Sequence, residues 1–159
     1  MSNSGRPLGS WIRIWWPAAL MTAVIAVEST QTFGAEYTSG PLRYIFQAIF
    51  GHVPDDRWAI IHHYARKTGH FVGYGLLALS WLRAWRETRP KHSFLNNAVL
   101  AMVATAIIAI ADEFHQSFLP NRTSSPWDVL LDCSGALALQ MLLYAILRLR
   151  RSGVLATAA

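Results

Sequence analysis

The sequence predicts an all-α integral membrane bundle of about four transmembrane helices, with a short interfacial helix in the first outer loop. Three observations carry that expectation. The 159-residue chain is 53% hydrophobic and only 14% charged, whereas a soluble domain usually carries about a quarter charged residues. Its apolar residues fall in long blocks instead of alternating with polar ones, and mean hydropathy is +0.25; blocks of that kind read as membrane spans. Most basic residues flank the blocks, where topology signals sit. One domain, residues 1–159, accounts for the length.

The first apolar block, Trp11 to Val27, defines a span over about 11–28. It is longer than a usual signal-peptide core, and the best cleavage-like site, after Ala35, has bulky Phe33 three residues before the cut; a retained helix is expected. Residues 29–66 form the outer loop. Its first part, to residue 56, is polar and turn-rich, with Gly34, Gly40, Gly51, Pro41 and Pro54. Within it Leu42, Ile45, Phe46, Ile49 and Phe50 recur at helical spacing, which predicts a helix lying in the interface.

The second span covers about 68–86 and continues a helix that starts near Asp56, because Trp58, Ile61 and Ala65 keep the periodicity. Gly69 and Gly73 form a small-xxx-small pair suited to close helix approach. The third span, about 95–118, is densest between Ala98 and Ala111 and stops before Pro120. The fourth, about 127–149, begins after Pro126, a residue that helix starts tolerate. The single cysteine, Cys133, excludes an internal disulfide and any Cys-based zinc site, and reads as a small buried residue.

Charge distribution sets the expected orientation. Arg6, Arg13, Arg83, Arg86, Arg89, Lys91, Arg148, Arg150 and Arg151 all fall on one side of a four-span topology. They are nine of the fourteen basic residues and share that side with one acidic residue, Glu87. Both termini are therefore expected to be cytoplasmic. Trp11, Trp15, Trp16, Trp81 and Trp85 would mark the inner interface, and Trp58 and Trp127 the outer one. With the basic residues at span ends and no basic stripe on a polar surface, nucleic acid is not an expected partner.

The outer side holds an unusual polar set. His63, Lys67, His70 and Tyr74, spaced four, three and four, share one stripe of the second helix. At the exit of the third span comes Asp112-Glu113-Phe114-His115-Gln116, with Asp112, His115 and Gln116 expected on one face. The next loop supplies Asn121 and Arg122, and Asp128 and Asp132 stand one turn apart at the entrance of the fourth span, near Gly135. Lys67 and Arg122 against Asp112, Glu113, Asp128 and Asp132 sum to −2. An isolated charge within a span costs about 2.5–3.5 kcal/mol, so partners are expected. Any one of these residues reads as an interface charge or a packing contact; the whole set reads as a functional polar pocket.

These residues resemble the VanZ-like family of small bacterial membrane proteins. The likeness rests on Arg66-Lys67-Thr68-Gly69-His70-Phe71 with Tyr74, then Asp112-Glu113-Phe114-His115-Gln116, Phe118-Leu119-Pro120-Asn121-Arg122, and Asp128-Val129 with Asp132 and Gly135. Two positions depart from the family pattern. Gly73 stands where many relatives carry an acidic residue, which removes one partner for Lys67. Asn121 replaces a common Gly, and Asn tolerates a left-handed turn. The resemblance implies a multi-pass plasma-membrane protein. The family is named for a member linked to teicoplanin resistance, so a connection with the cell envelope or the glycopeptide response is an expectation, whereas resistance itself is not implied for this chain.

Three functional readings follow. In the first, an outward-facing pocket of Lys67, His70, Tyr74, Asp112, Glu113, Gln116, Arg122, Asp128 and Asp132 binds an anionic lipid headgroup or a lipid-linked envelope precursor, with Lys67 and Arg122 on the phosphate. In the second, the chain is an enzyme acting on a lipid-linked substrate, with Glu113 or His115 as general base and Asp132 orienting a partner. No catalytic motif supports a reaction class. In the third, the polar network only fixes helix packing in an accessory protein. No cofactor or metal ligand is assigned, although Asp112, Glu113, His115 and Asp128 offer oxygen and nitrogen donors suited to a divalent metal. The lipid bilayer is the expected partner, and the sequence does not set an oligomeric state.

Overall fold

A computed structural model describes residues 7–120, 122 and 124–153; the expectations for Arg6 and Asn121 lie outside the described residues. The elements run α1 (Leu8–Glu28), a 3₁₀ turn (Gln31–Phe33), α2 (Ala35–Phe50), α3 (Asp55–Thr88), α4 (Phe94–Gln116) and α5 (Pro126–Arg151). No strand occurs among the described residues.

Local chemistry explains most boundaries. Pro54 precedes α3, and Asp55 and Asp56 occupy its first turn, where the helix dipole favours anions. Ser93 caps α4 by accepting the Asn96 N–H at 3.1 Å. Pro126 opens α5 behind the Ser125 cap. The α2 helix ends at Gly51, whose φ of 84° is left-handed. Arg43 then closes the α2–α3 turn, pairing with Asp55 at 2.6 Å and donating to the Val53 carbonyl at 2.8 Å. Contrary to the turn-rich reading of this stretch, α2 continues through Gly40 and Pro41.

Three helices are long and apolar enough to cross a membrane: α1, α4 and α5. α3 touches α1, α2, α4 and α5, so it is the hub of the bundle. Its crossing with α5 is backbone on backbone. A Cβ at Gly135 would collide with the Phe71 carbonyl, and one at Gly75 would lie 2.6 Å from Leu139 Cδ2. The close approach therefore falls to Gly75 and Gly135, not to the expected Gly69 and Gly73. Gly69 meets nothing within 4 Å, and Gly73 only Ile25 at 3.7 Å.

The distribution of side chains is inverted relative to a soluble bundle. Val24, Val99, Val103, Ile107, Ile110, Leu137 and Met141 are exposed, while Asn97, Thr105, Asp112, Asp132 and Gln140 are buried. Water would penalise that outer surface and hydrocarbon would not. One aromatic expectation needs correction. Trp58 is buried and donates to Ser39 Oγ at 2.8 Å instead of marking an interface. Trp15 packs edge-on against Trp81 and Trp85, with ring centroids 5.5 and 5.0 Å apart. Cys133 is half-buried.

Candidate functional site

The N-terminal half of α3, the end of α4 and the start of α5 meet at one end of the bundle. Between them and α2 lies a polar chamber of about 630 Å³, which Lys67, His70, Glu113, Gln116, Arg122 and Asp128 help to line. Tyr74, Asp112 and Asp132 lie beside it and are buried.

Each polar side chain has a definite place. Lys67 pairs with Asp128 across the α3–α5 contact. The Tyr74 hydroxyl donates to Asp112 Oδ2 at 2.8 Å, and Gln116 Nε2 donates to Asp112 Oδ1 at 3.1 Å. Glu113 Oε2 accepts the Ser125 N–H at 2.9 Å, and the Ser124 hydroxyl donates to the Glu113 main-chain carbonyl at 2.8 Å; together they tie the loop to α4. Asp132 Oδ1 lies 3.3 Å from His70 Nδ1. That contact is close but not aligned for a hydrogen bond, so both Asp132 oxygens and His70 Nδ1 are buried without one.

Arg122 donates to the main-chain carbonyls of Glu28 at 2.7 Å and Thr30 at 2.6 Å, fastening its loop to the end of α1. Burial pulls its guanidinium below the ordinary arginine range, while Asp112 and Glu113 oppose that shift. The group stays charged at any physiological pH.

His115 departs from the expected face. It is exposed, and its Nδ1 shares a 2.9 Å hydrogen bond with Ser29 Oγ at the end of α1. Three residues place it about 60° to one side of Asp112 and four place Gln116 about 40° to the other, so the two side chains diverge by about 100°. The donor set of Asp112, Glu113, His115 and Asp128 is thus divided among different partners.

The expected pocket set did not include Arg66. It lines the chamber together with His62 and His63, and its Nη1 donates to the Phe33 carbonyl at 2.9 Å and reaches Thr38 Oγ1 at 3.4 Å. Trp58, His62, Arg66 and His70 recur every fourth residue beside the stripe of His63 and Lys67, a spacing visible in the sequence. An apolar groove of about 400 Å³ adjoins the chamber, bounded by Val24, Leu42, Val72 and Leu76. Arg66, His70 and Arg122 line both spaces. At the opposite end of the bundle a cavity of about 870 Å³ carries Arg83, Arg86, Arg148 and Arg151.

Apolar helices outside, buried polar side chains inside and a charged chamber at one end define a helical membrane protein. The chain belongs to the VanZ/LLP1 family, whose model matches residues 14–148. No curated protein matches it, and no solved structure does.

Proposed function

We propose that this chain is a four-span plasma-membrane protein that binds an anionic lipid headgroup, or the lipid-linked head of an envelope precursor, in the chamber. The single observation that carries this reading is the sharing of Arg66, His70 and Arg122 between a polar chamber and an apolar groove. An amphipathic ligand needs that pairing: cations for the phosphate and an apolar trough for the chain. The hydrogen bonds of Arg66 and Arg122 go to neutral oxygens, which do not cancel their charge.

In this reading residues 68–86 of α3 cross the bilayer with α1, α4 and α5. The α2 helix lies in the interface, where its exposed Tyr44, Ile45, Ile49 and Phe50 would enter the headgroup layer. The chamber faces outward, and both termini are cytoplasmic because the cavity at the other end gathers four arginines. A role in the envelope or in the glycopeptide response would be the cellular counterpart.

The test is native mass spectrometry of the detergent-purified chain. Wild type should carry a specific anionic lipid, and the Arg66→Gln and Lys67→Gln variants should lose it while remaining folded. Unchanged lipid occupancy in both variants would reject the reading.

A further inference from the structure

We propose that His70, Asp112 and Asp132 form a binding site for one divalent transition-metal ion, zinc or manganese. The three residues come from α3, α4 and α5. One donor atom from each lies within 4.8 Å of the other two. Bonds of about 2.0–2.2 Å to a central ion require the donors to draw in by about 1 Å, within reach of side-chain rotation.

Asp132 is the second observation. It is 0% exposed, its Oδ1 faces His70 Nδ1 at 3.3 Å, and neither of its oxygens has a hydrogen bond. A buried carboxylate without donors is costly, and such groups are normally paired or bound to a cation. His70 does not supply the missing hydrogen bond, because its Nδ1 is out of line and equally unbonded. A metal accepts lone pairs from both residues and needs no N–H···O alignment.

The surroundings fit a metal centre. Tyr74 and Gln116 each donate to one Asp112 oxygen. Those bonds orient the carboxylate and leave it lone pairs for an ion, the usual task of groups behind a metal ligand. A void of about 10 Å³ borders His70, Tyr74, Asp112 and Gln116, about the space of one water, which suits a ligand completing the coordination. His70 and Gln116 also line the chamber, so an ion can arrive from there. Two carboxylates and a neutral imidazole carry −2, which a divalent cation cancels. One imidazole favours zinc over magnesium or calcium, and the two carboxylates keep manganese in contention.

The full chain, purified in detergent through a tag without histidine and without chelator, would be analysed for bound metal by mass spectrometry. One zinc or one manganese per chain is expected. Asp132→Asn and His70→Gln should each lose it at least tenfold, and Arg150→Gln in the exposed end of α5 should keep it. Tyr74→Phe should retain the fold and weaken metal affinity by about 10–100-fold, as loss of a group behind a ligand does. His70→Gln carries the test if Asp132→Asn does not fold. Full metal content in both ligand variants overturns the site. So does a metal-free wild type whose melting temperature neither ion raises.

Discussion

The Tyr74 hydroxyl on α3 donates a 2.8 Å hydrogen bond to Asp112 Oδ2 on α4, and the tyrosine has no solvent exposure. This bond links two helices inside the bundle. Tyr74→Phe preserves the ring and removes the donor, leaving Asp112 with Gln116. The expected loss is about 1 kcal/mol, the scale of interhelical hydrogen bonds in membrane proteins. Thermal unfolding in detergent would show it as a small fall in melting temperature.

The α3–α5 crossing predicts a sharp contrast between two glycines. Gly135→Ala places a methyl group against the Phe71 carbonyl, with backbone on both sides and little room to yield. Overpacking of that kind costs roughly 1–3 kcal/mol. Gly69→Ala meets open space, so it should be neutral or gain up to about 1 kcal/mol in helix propensity. Melting temperatures of the two variants, measured side by side, check both claims.

The Lys67–Asp128 pair bridges α3 and α5 at partly exposed positions, with side-chain exposures of 34% and 19%. Removing either charge should cost more than the roughly 1 kcal/mol of a surface pair and less than the ~3–5 kcal/mol of a fully buried one. The double exchange Lys67→Asp with Asp128→Lys should recover most of that stability. Because the proposed binding uses the Lys67 charge at its own position, lipid occupancy should stay low in the exchanged protein. Stability and lipid content, read together, separate packing from binding.

A pH response is expected where α2 docks on α3. His62, outside the proposed spans, stacks on Trp58 and meets Thr38 Oγ1 at 3.2 Å. Burial, reinforced by the Arg66 charge, lowers its pKa from the usual 6.5. An undocked His62 therefore takes up a proton at higher pH than a docked one. Docking is fully favoured above about pH 6.5 and weakens as pH falls through the lowered value. Hydrogen exchange across Ala35–Phe50 should speed up on acidification relative to the rest of the bundle, and His62→Phe should flatten that dependence.

Much of this architecture is written in the apolar blocks and their punctuation. The Trp11–Val27 block, the periodic run beginning near Asp56 and the start after Pro126 mark helices that the structure contains at nearly those limits. Residues reading as turn formers misled within α2, where Gly40 and Pro41 sit inside a helix held by Arg43 and by Trp58. The gathering of Lys67, His70, Tyr74, Asp112, Gln116, Asp128 and Asp132 at one end of the bundle was legible because polar groups at helical spacing in apolar helices stand out. Arg66 was harder to see, since attention to one stripe hides the neighbouring stripe of the same helix. His115 was misplaced because the residues three and four positions after Asp112 fall on opposite sides of it, about 100° apart. Gly75 gave no local sign, because its role depends on what Leu139 and Gly135 do across the interface.

The contact of Gly135 with the Phe71 backbone also limits how the molecule can move. Two rods touching main chain to main chain can scissor about that point but cannot slide lengthwise past it. The residues carried above the fulcrum, Lys67 with Asp128 and His70 with Asp132, consequently keep their register. Among the described residues α2 rests only on α3 and the short turn before it, so it is the loosest wall of the chamber.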